Sequence, residues 1–195
     1  MRSFAGMASP CHIDLPVRVR TWQSSTHDKN SRYRAMQTEP VIREYHPDDL
    51  PALKRITAFC FEPVSIDRNI EARFGCIGGR DWRWRKLRHI DDDVAGDRAR
   101  GVFVLQADDQ VVGYITTRVD RESRIGGIPN LAILPAYQGR GLGKQLIQTA
   151  LDYLRAQNME CAKIETLVQN EVGASLYVNM GFEEVARQIH YLMRL

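Results

Sequence analysis

The sequence contains no uninterrupted apolar run of the roughly 18 residues that a membrane-spanning helix requires. Cysteine is scarce: Cys11, Cys60, Cys76 and Cys161 are scattered, with no CxxC pair and no cysteine–histidine cluster. A zinc site and a disulfide framework therefore have little support, and a reducing, cytoplasmic setting fits. Acidic residues nowhere take the spacing of a calcium loop, so no metal site is expected. Excess charge is nearly absent too. The net charge of +3 comes from residues 1–40, which carry six basic and three acidic side chains; residues 41–195 carry 21 of each. The main body of the chain thus has no basic bias toward nucleic acid. What the 195 residues do have is an apolar fraction of 44%, enough for one domain with a core, and no internal repeat.

The most informative stretch runs from Pro135 to Lys144, Pro-Ala-Tyr-Gln-Gly-Arg-Gly-Leu-Gly-Lys. An apolar segment, Ile128 to Leu134, leads into it. A helical pattern follows, with Leu142, Leu146, Ala150 and Leu154 on one face beside Ile147 and Leu151. A glycine-rich turn between a strand and a helix leaves backbone N–H groups unpaired at the helix start, where they can hold a phosphate. Gly139, Gly141 and Gly143 keep Cβ atoms out of the way of a ligand, and Arg140 and Lys144 add positive charge. The dinucleotide pattern G-x-G-x-x-G is absent, because the third glycine comes one residue early. The P-loop pattern fails at Gln138 and Gln145.

Residues 1–40 are rich in Arg, Ser, Thr, Pro and Gln and read as an extension of the domain that spans 41–195. Three readings stand for it: an organelle presequence, an overlong gene start ahead of Met36, or a segment folded back through Trp22 and Tyr33. Within 41–195 the pattern predicts a strand at Val41–Tyr45, a helix from Pro47 to about Phe59, and a second helix capped by Asp67 and reaching Phe74. A hairpin of Val102–Gln106 with Val111–Arg118 follows, after the basic stretch Arg80–Arg88. Then come a polar connection at Arg121–Gly127, the strand Ile128–Leu134, the turn and its helix to about 156, a strand at Cys161–Val168, and a short helix between Asn170 and Asn179 closed by Gly181. A second hairpin, Phe182–Ala186 with Ile189–Met193, ends the chain. This order predicts an α/β fold: a mixed, mostly antiparallel sheet with helices on both faces. Trp82 and Trp84 are expected as core anchors of a solvated helix, and Asp91-Asp92-Asp93 as a charged exposed turn. These aspartates, with Glu71, would attract a cationic amine if they serve a ligand.

Gln138-x-x-Gly141-x-Gly143 resembles the Q/R-x-x-G-x-G/A acetyl-CoA signature of the GNAT superfamily of N-acetyltransferases. Asn130 through Pro135 before it and Asn170 through Phe182 after it extend the likeness. The resemblance implies a splayed pair of parallel strands, 128–134 and 162–168, forming an acyl-CoA cleft, with a bulge near Leu131. It implies that backbone groups at Leu131, Ala132 and Ile133 meet the pantetheine arm as a strand would, and that amides from Gln138, Gly139, Arg140, Gly141, Leu142, Gly143 and Lys144 hold the pyrophosphate. Asn170 is either a pantetheine contact or a helix N-cap. Tyr177 takes the general-acid position, donating to the leaving thiolate.

The base is less defined. Many relatives carry a glutamate on the strand before the turn, where this chain has Ile128-Pro129-Asn130. Asn130 could position a water, Glu165 serves only if it faces the cleft, and Glu122 and His190 are weaker candidates. Cys161 is expected to be a small packed side chain, not a nucleophile. The implied activity is transfer of acetyl from acetyl-CoA to a primary amine of a small molecule, peptide or protein, by an enzyme that could form a homodimer and does not act at a membrane. A noncatalytic acyl-CoA-binding module and a nucleic-acid-binding protein using Arg80–Arg88 are the alternatives.

Overall fold

In the computed structural model the described residues are 39–195; the expectations for residues 1–38 lie outside them. Five strands form one sheet in the order β1 (Val41–Glu44), β2 (Val102–Ala107), β3 (Gln110–Arg118), β4 (Ile125–Ile133) and β5 (Cys161–Ile164). The first three pairings are antiparallel and β4–β5 is parallel. The mixed, mostly antiparallel sheet is thus as expected.

Helices α1 (Leu50–Cys60), α2 (Ile66–Phe74) and α3 (Trp82–Asp93) precede the β2–β3 hairpin. A parallel neighbour cannot be reached by a tight turn, so the chain crosses from β4 to β5 through α4 (Leu142–Ala156). The last helix is α5 (Glu171–Asn179). Leu53 and Ile56 of α1 and Ile90 of α3 pack with Val102, Val104, Tyr114 and Ala132 on one face of the sheet. Leu142, Leu146, Ile147, Ala150 and Leu154 of α4 pack with Leu105, Ile115, Ile128 and Ile133 on the other. Helices therefore cover both faces, and α5 adds Leu176 and Tyr177 at the margin of the α4 side.

Several local expectations are corrected. Ser65, not Asp67, caps α2: its hydroxyl accepts from the Asp67 amide at 3.2 Å. β4 begins at Ile125, inside the segment expected as a polar connection, because Gly126 and Gly127 pair with Ala162 and Lys163. β5 stops at Ile164, four residues short of Val168. Residues 182–195 form no strand, so the C-terminal hairpin is absent; Val185, Ile189, Tyr191 and Met193 are exposed there. Alternating apolar residues suit a strand only where a partner edge supplies hydrogen bonds. Cys161 is exposed, not packed.

Asp91–Asp93 are not an exposed turn. They form the last turn of α3, and Asp93 is completely buried. Trp82, Lys86, Ile90 and Asp93 recur at the spacing of one helix face, so one stripe carries both apolar and charged side chains to the sheet. Trp82 is a core anchor, but Trp84 is half exposed and lies between the guanidinium groups of Arg80 and Arg88, each 4.9 Å from its ring centre.

The Asp93 carboxylate accepts from Thr116 Oγ1 at 2.9 Å, Asn130 Nδ2 at 2.6 Å and Arg118 at 2.7 Å. Asp93→Ala strands those donors. Arg118 can rehydrate, so the cost should fall below the 3–5 kcal/mol of a fully buried pair, at about 2 kcal/mol or more. Urea unfolding of the variant beside wild type measures it.

Candidate active site

The centre of the site is the outer half of β4. Two of its residues, Ile128 and Pro129, stand opposite Thr117 alone, between the pairs Arg118↔Gly127 and Thr116↔Asn130. This is a β-bulge, and proline suits it because it has no N–H to give the ladder. The bulge lies two to three residues before the position expected near Leu131, which stays in register opposite Ile115. Its effect is a change of phase. Ile128 faces α4 before it; after it, Leu131 and Ile133 face α4 while Asn130 and Ala132 face α1 and α3.

Pairing with β5 ends at Ile128↔Ile164. Beyond that point β4 continues to Ile133 without a parallel neighbour among the described residues, so β4 and β5 part there. The amide of Leu134 donates to Val112 at 2.9 Å, which fixes the alternation: residues 130, 132 and 134 turn their backbone groups toward β3, and Leu131 and Ile133 turn theirs toward the gap. Ala132, expected to meet the pantetheine arm, points away, with its side chain in the α1–α3 core and its backbone paired to Tyr114. The carbonyl of Ile133 already accepts from Gln138 Nε2 at 2.7 Å and from the Cys60 thiol at 3.5 Å. Burial pushes that thiol up to about 11, so it stays protonated.

Pro135 ends the strand and opens a short 3-10 turn, Pro135–Tyr137, which leads into the glycine turn. Gly139 and Gly141 take positive φ, +74° and +78°, and a Cβ at either would meet nothing within 4 Å. Gly141 is the N-cap of α4 and has no side chain to satisfy the helix start. The amides of Gly139, Gly141, Leu142 and Gly143 find no acceptor among the described residues. The two ends of the expected cradle are closed: the Gln138 amide donates to Pro135 and the Lys144 amide to Gly141. The Gln138 side chain ties the turn to the strand through its bond to the Ile133 carbonyl. Arg140 donates to the Ala136 carbonyl and stacks 5.5 Å from the Tyr137 ring. Lys144 is exposed on the first turn of α4. Open amides, a helix N-terminus and space in front of both suit a pyrophosphate, and the open backbone groups of Leu131 with the Ile133 amide suit an amide-bearing arm.

α5 borders this turn: a Cβ on Gly143 would lie 3.2 Å from Leu176. Tyr177 follows Leu176, packed edge-on against Phe182 with ring centres 6.2 Å apart. Its hydroxyl has no hydrogen-bond partner among the described residues, and burial raises its pKa above the ordinary phenol value. Asn170 is the N-cap of α5: its Oδ1 accepts from the Gly173 amide at 3.1 Å while its Nδ2 donates to Thr166.

Three residues offered for proton transfer lie elsewhere. Glu165 follows β5 and pairs with Lys163 at 2.9 Å, largely in solvent. Glu122 sits in the Asp120 turn, and His190 is exposed near the C-terminus. Asn130 is buried at the mouth of the gap. Its Nδ2 is committed to the Asp93 carboxylate, which only accepts, so its Oδ1 faces the ammonium of Lys86 at 2.7 Å. Lys86 is hidden in the sequence by the arginines around it; the signal is its place four residues after Trp82 on the inward stripe. In the rest of that basic stretch Arg83 lies near Glu62 and Asp81 and Arg85 near Asp67 and Glu71, while Arg80 and Arg88 stack on Trp84. Among the described residues no helix is long and apolar enough to cross a membrane, and no cluster of metal-binding side chains occurs.

Comparison with known proteins agrees with this geometry. Mycothiol acetyltransferase of Streptomyces griseus subsp. griseus is 34% identical over 83 residues, which is 43% of this chain and 27% of that protein. N-alpha-acetyltransferase 30 of Saccharomyces cerevisiae is 32% identical over 85 residues, 42% of this chain and 48% of that one. The chain thus spans about a quarter to a half of the length of these relatives. In fold it is similar to the PaiA N-acetyltransferase of Thermoplasma acidophilum, solved in complex with coenzyme A, with a TM-score of 0.58 at 17% identity over 75% of this chain and 91% of that one. It is also similar to the ribosomal-protein-S18-alanine N-acetyltransferase of Escherichia coli, with a TM-score of 0.54 at 20% identity over 75% and 79%. Residues 64–182 match the family described as Acetyltransferase (GNAT) family, and the chain belongs to that family, whose cosubstrate is acetyl-CoA.

Proposed function

We propose that this domain is an N-acetyltransferase that moves acetyl from acetyl-CoA to a primary amine by direct attack in a ternary complex. The observation that carries the reading is the meeting, at the end of β4, of a free strand edge with the unpaired amides of Gly139, Gly141, Leu142 and Gly143. The pyrophosphate would rest on those amides, each charge-assisted bond contributing roughly 1.5–3 kcal/mol. The arm would run along Leu131 and Ile133. The bound thioester supplies the electrophilic carbonyl. Tyr177, protonated and without a hydrogen-bond partner among the described residues, donates to the sulfur as it leaves. Asn130 orients polar groups at the mouth of the gap.

The acidic partners of Arg83 and Arg85 weaken the positive field of α3, which favours this reading over a nucleic-acid surface. The test is thiol release from acetyl-CoA against a panel of small amines, polyamines, aminoglycosides, lysine peptides and peptides with free N-termini. At least one class should release thiol well above hydrolysis. Tight coenzyme A binding with no turnover on any class would favour a noncatalytic acyl-CoA-binding module.

A further inference from the structure

The family's usual carboxylate is missing from the strand before the turn, yet the acceptor must lose a proton before its nitrogen can attack. Lys86 is an ionisable group in direct contact with Asn130, at the mouth of the gap. It reaches the sheet from α3, its Nζ donates to Asn130 Oδ1 at 2.7 Å, and the face of Phe61 lies 4.0 Å from it. No carboxylate pairs with it among the described residues, which is unusual for a half-buried lysine. Its neighbour Asn130 cannot turn over, because Nδ2 is held by Asp93 and Asp93 by Thr116 and Arg118. The chain Arg118–Asp93–Asn130–Lys86 therefore fixes an amine, two residues past the last β4–β5 pair, in a polar but uncharged contact.

We propose that Lys86 is the general base of the reaction, accepting the proton of the acceptor's ammonium, with Asn130 and Asp93 as positioning residues. The inference rests on the acetyltransferase reading above. The acceptor's ammonium passes its proton to the Lys86 nitrogen lone pair, giving a free amine and a Lys86 ammonium. The amine's lone pair forms the C–N bond to the acetyl carbon, and the C–S bond breaks with its electron pair on sulfur. Sulfur takes the Tyr177 proton, the Tyr177 oxygen recovers one from the acetylated nitrogen, and Lys86 later releases its proton to water.

The electrostatics fit this role. Burial lowers the Lys86 pKa to about 8, while Asp67 from α2 and Asp93 from its own helix pull it upward. Arg85, the neighbouring cation, is engaged with Asp67, and the Cys60 thiol on α1 stays neutral. A base whose ammonium pKa is near 8 is substantially free at physiological pH, unlike an ordinary lysine.

The test compares wild type with Lys86→Met and Lys86→Arg, using the amine of the panel that turns over fastest. Arginine keeps the charge and length but cannot accept a proton. Both variants should lose about 10²-fold or more in kcat and keep a cooperative fold and their coenzyme A affinity; Lys86→Met, which strands Asn130 Oδ1, should melt a few degrees lower, and Lys86→Arg less so. The rise of kcat through pH 8 should disappear from both; ionisation of the acceptor is common to all three proteins and cancels. In parallel, side-chain NMR of the ligand-free wild type should show Lys86 titrating near 8. A Lys86→Arg enzyme with a rate within tenfold of wild type and the same pH profile overturns the assignment, as does a Lys86 that titrates at the ordinary lysine value of about 10.4. Silence of wild type toward every amine would instead refute the acetyltransferase reading itself.

Discussion

Gly141→Val should weaken coenzyme A binding by about 10²-fold or more. Gly141 sits at φ +78° as the N-cap of α4, and a β-branched residue is a genuine outlier at positive φ. The turn must change its backbone to accept valine, and the amides of Gly141 and Leu142 then lose their common direction. Losing two charge-assisted bonds to phosphate costs about 3–6 kcal/mol at full value, so 10²-fold is a lower bound. A Cβ at this site meets nothing within 4 Å, so the α4 core should survive, and the backbone strain alone should lower the melting temperature by only a few degrees. Calorimetric titration with coenzyme A measures the loss. An unchanged Kd with the fold intact would remove the glycine turn from the binding site.

Tyr177→Phe should lower kcat by about 10²-fold, leaving coenzyme A affinity nearly unchanged. The ring is packed edge-on against Phe182, and phenylalanine keeps that contact. The hydroxyl has no hydrogen-bond partner among the described residues, so its removal leaves none of their buried groups unsatisfied. Burial shifts the Tyr177 pKa upward, so the acid form persists to higher pH than for a free phenol. Wild-type kcat should therefore stay on its plateau to at least about pH 10 before any alkaline fall. Steady-state rates of both proteins across that range measure it; an equal rate at every pH would strike out the acid role.

Both predictions depend on parts of the molecule that are legible in the sequence. The turn is evident there, since three glycines between an apolar strand and an amphipathic helix put open backbone amides at a helix start. The bulge at Ile128–Pro129 is not. It reverses which side chains face α4, so simple alternation along β4 misplaces Asn130 and Ala132. The Lys86–Asn130–Asp93 cluster is hidden for a related reason. On α3 a buried carboxylate and a half-buried lysine occupy positions that an apolar pattern would fill, and among so many exposed charges only the tertiary structure separates them. The C-terminal segment shows the converse: Val185, Ile189, Tyr191 and Met193 alternate as a strand would, yet find no strand partner among the described residues. Asn170 could be read two ways, and its hydrogen bond to the Gly173 amide makes it a cap.

The amide NMR spectrum of the protein, recorded while coenzyme A is added, tests most directly whether the cofactor lies where β4 ends. Gly139, Gly141, Leu142, Gly143, Leu131 and Ile133 should shift together and saturate, while Ala132, whose N–H is given to β3, moves far less. Saturable shifts confined to other surfaces, or none at these six amides, would contradict the account.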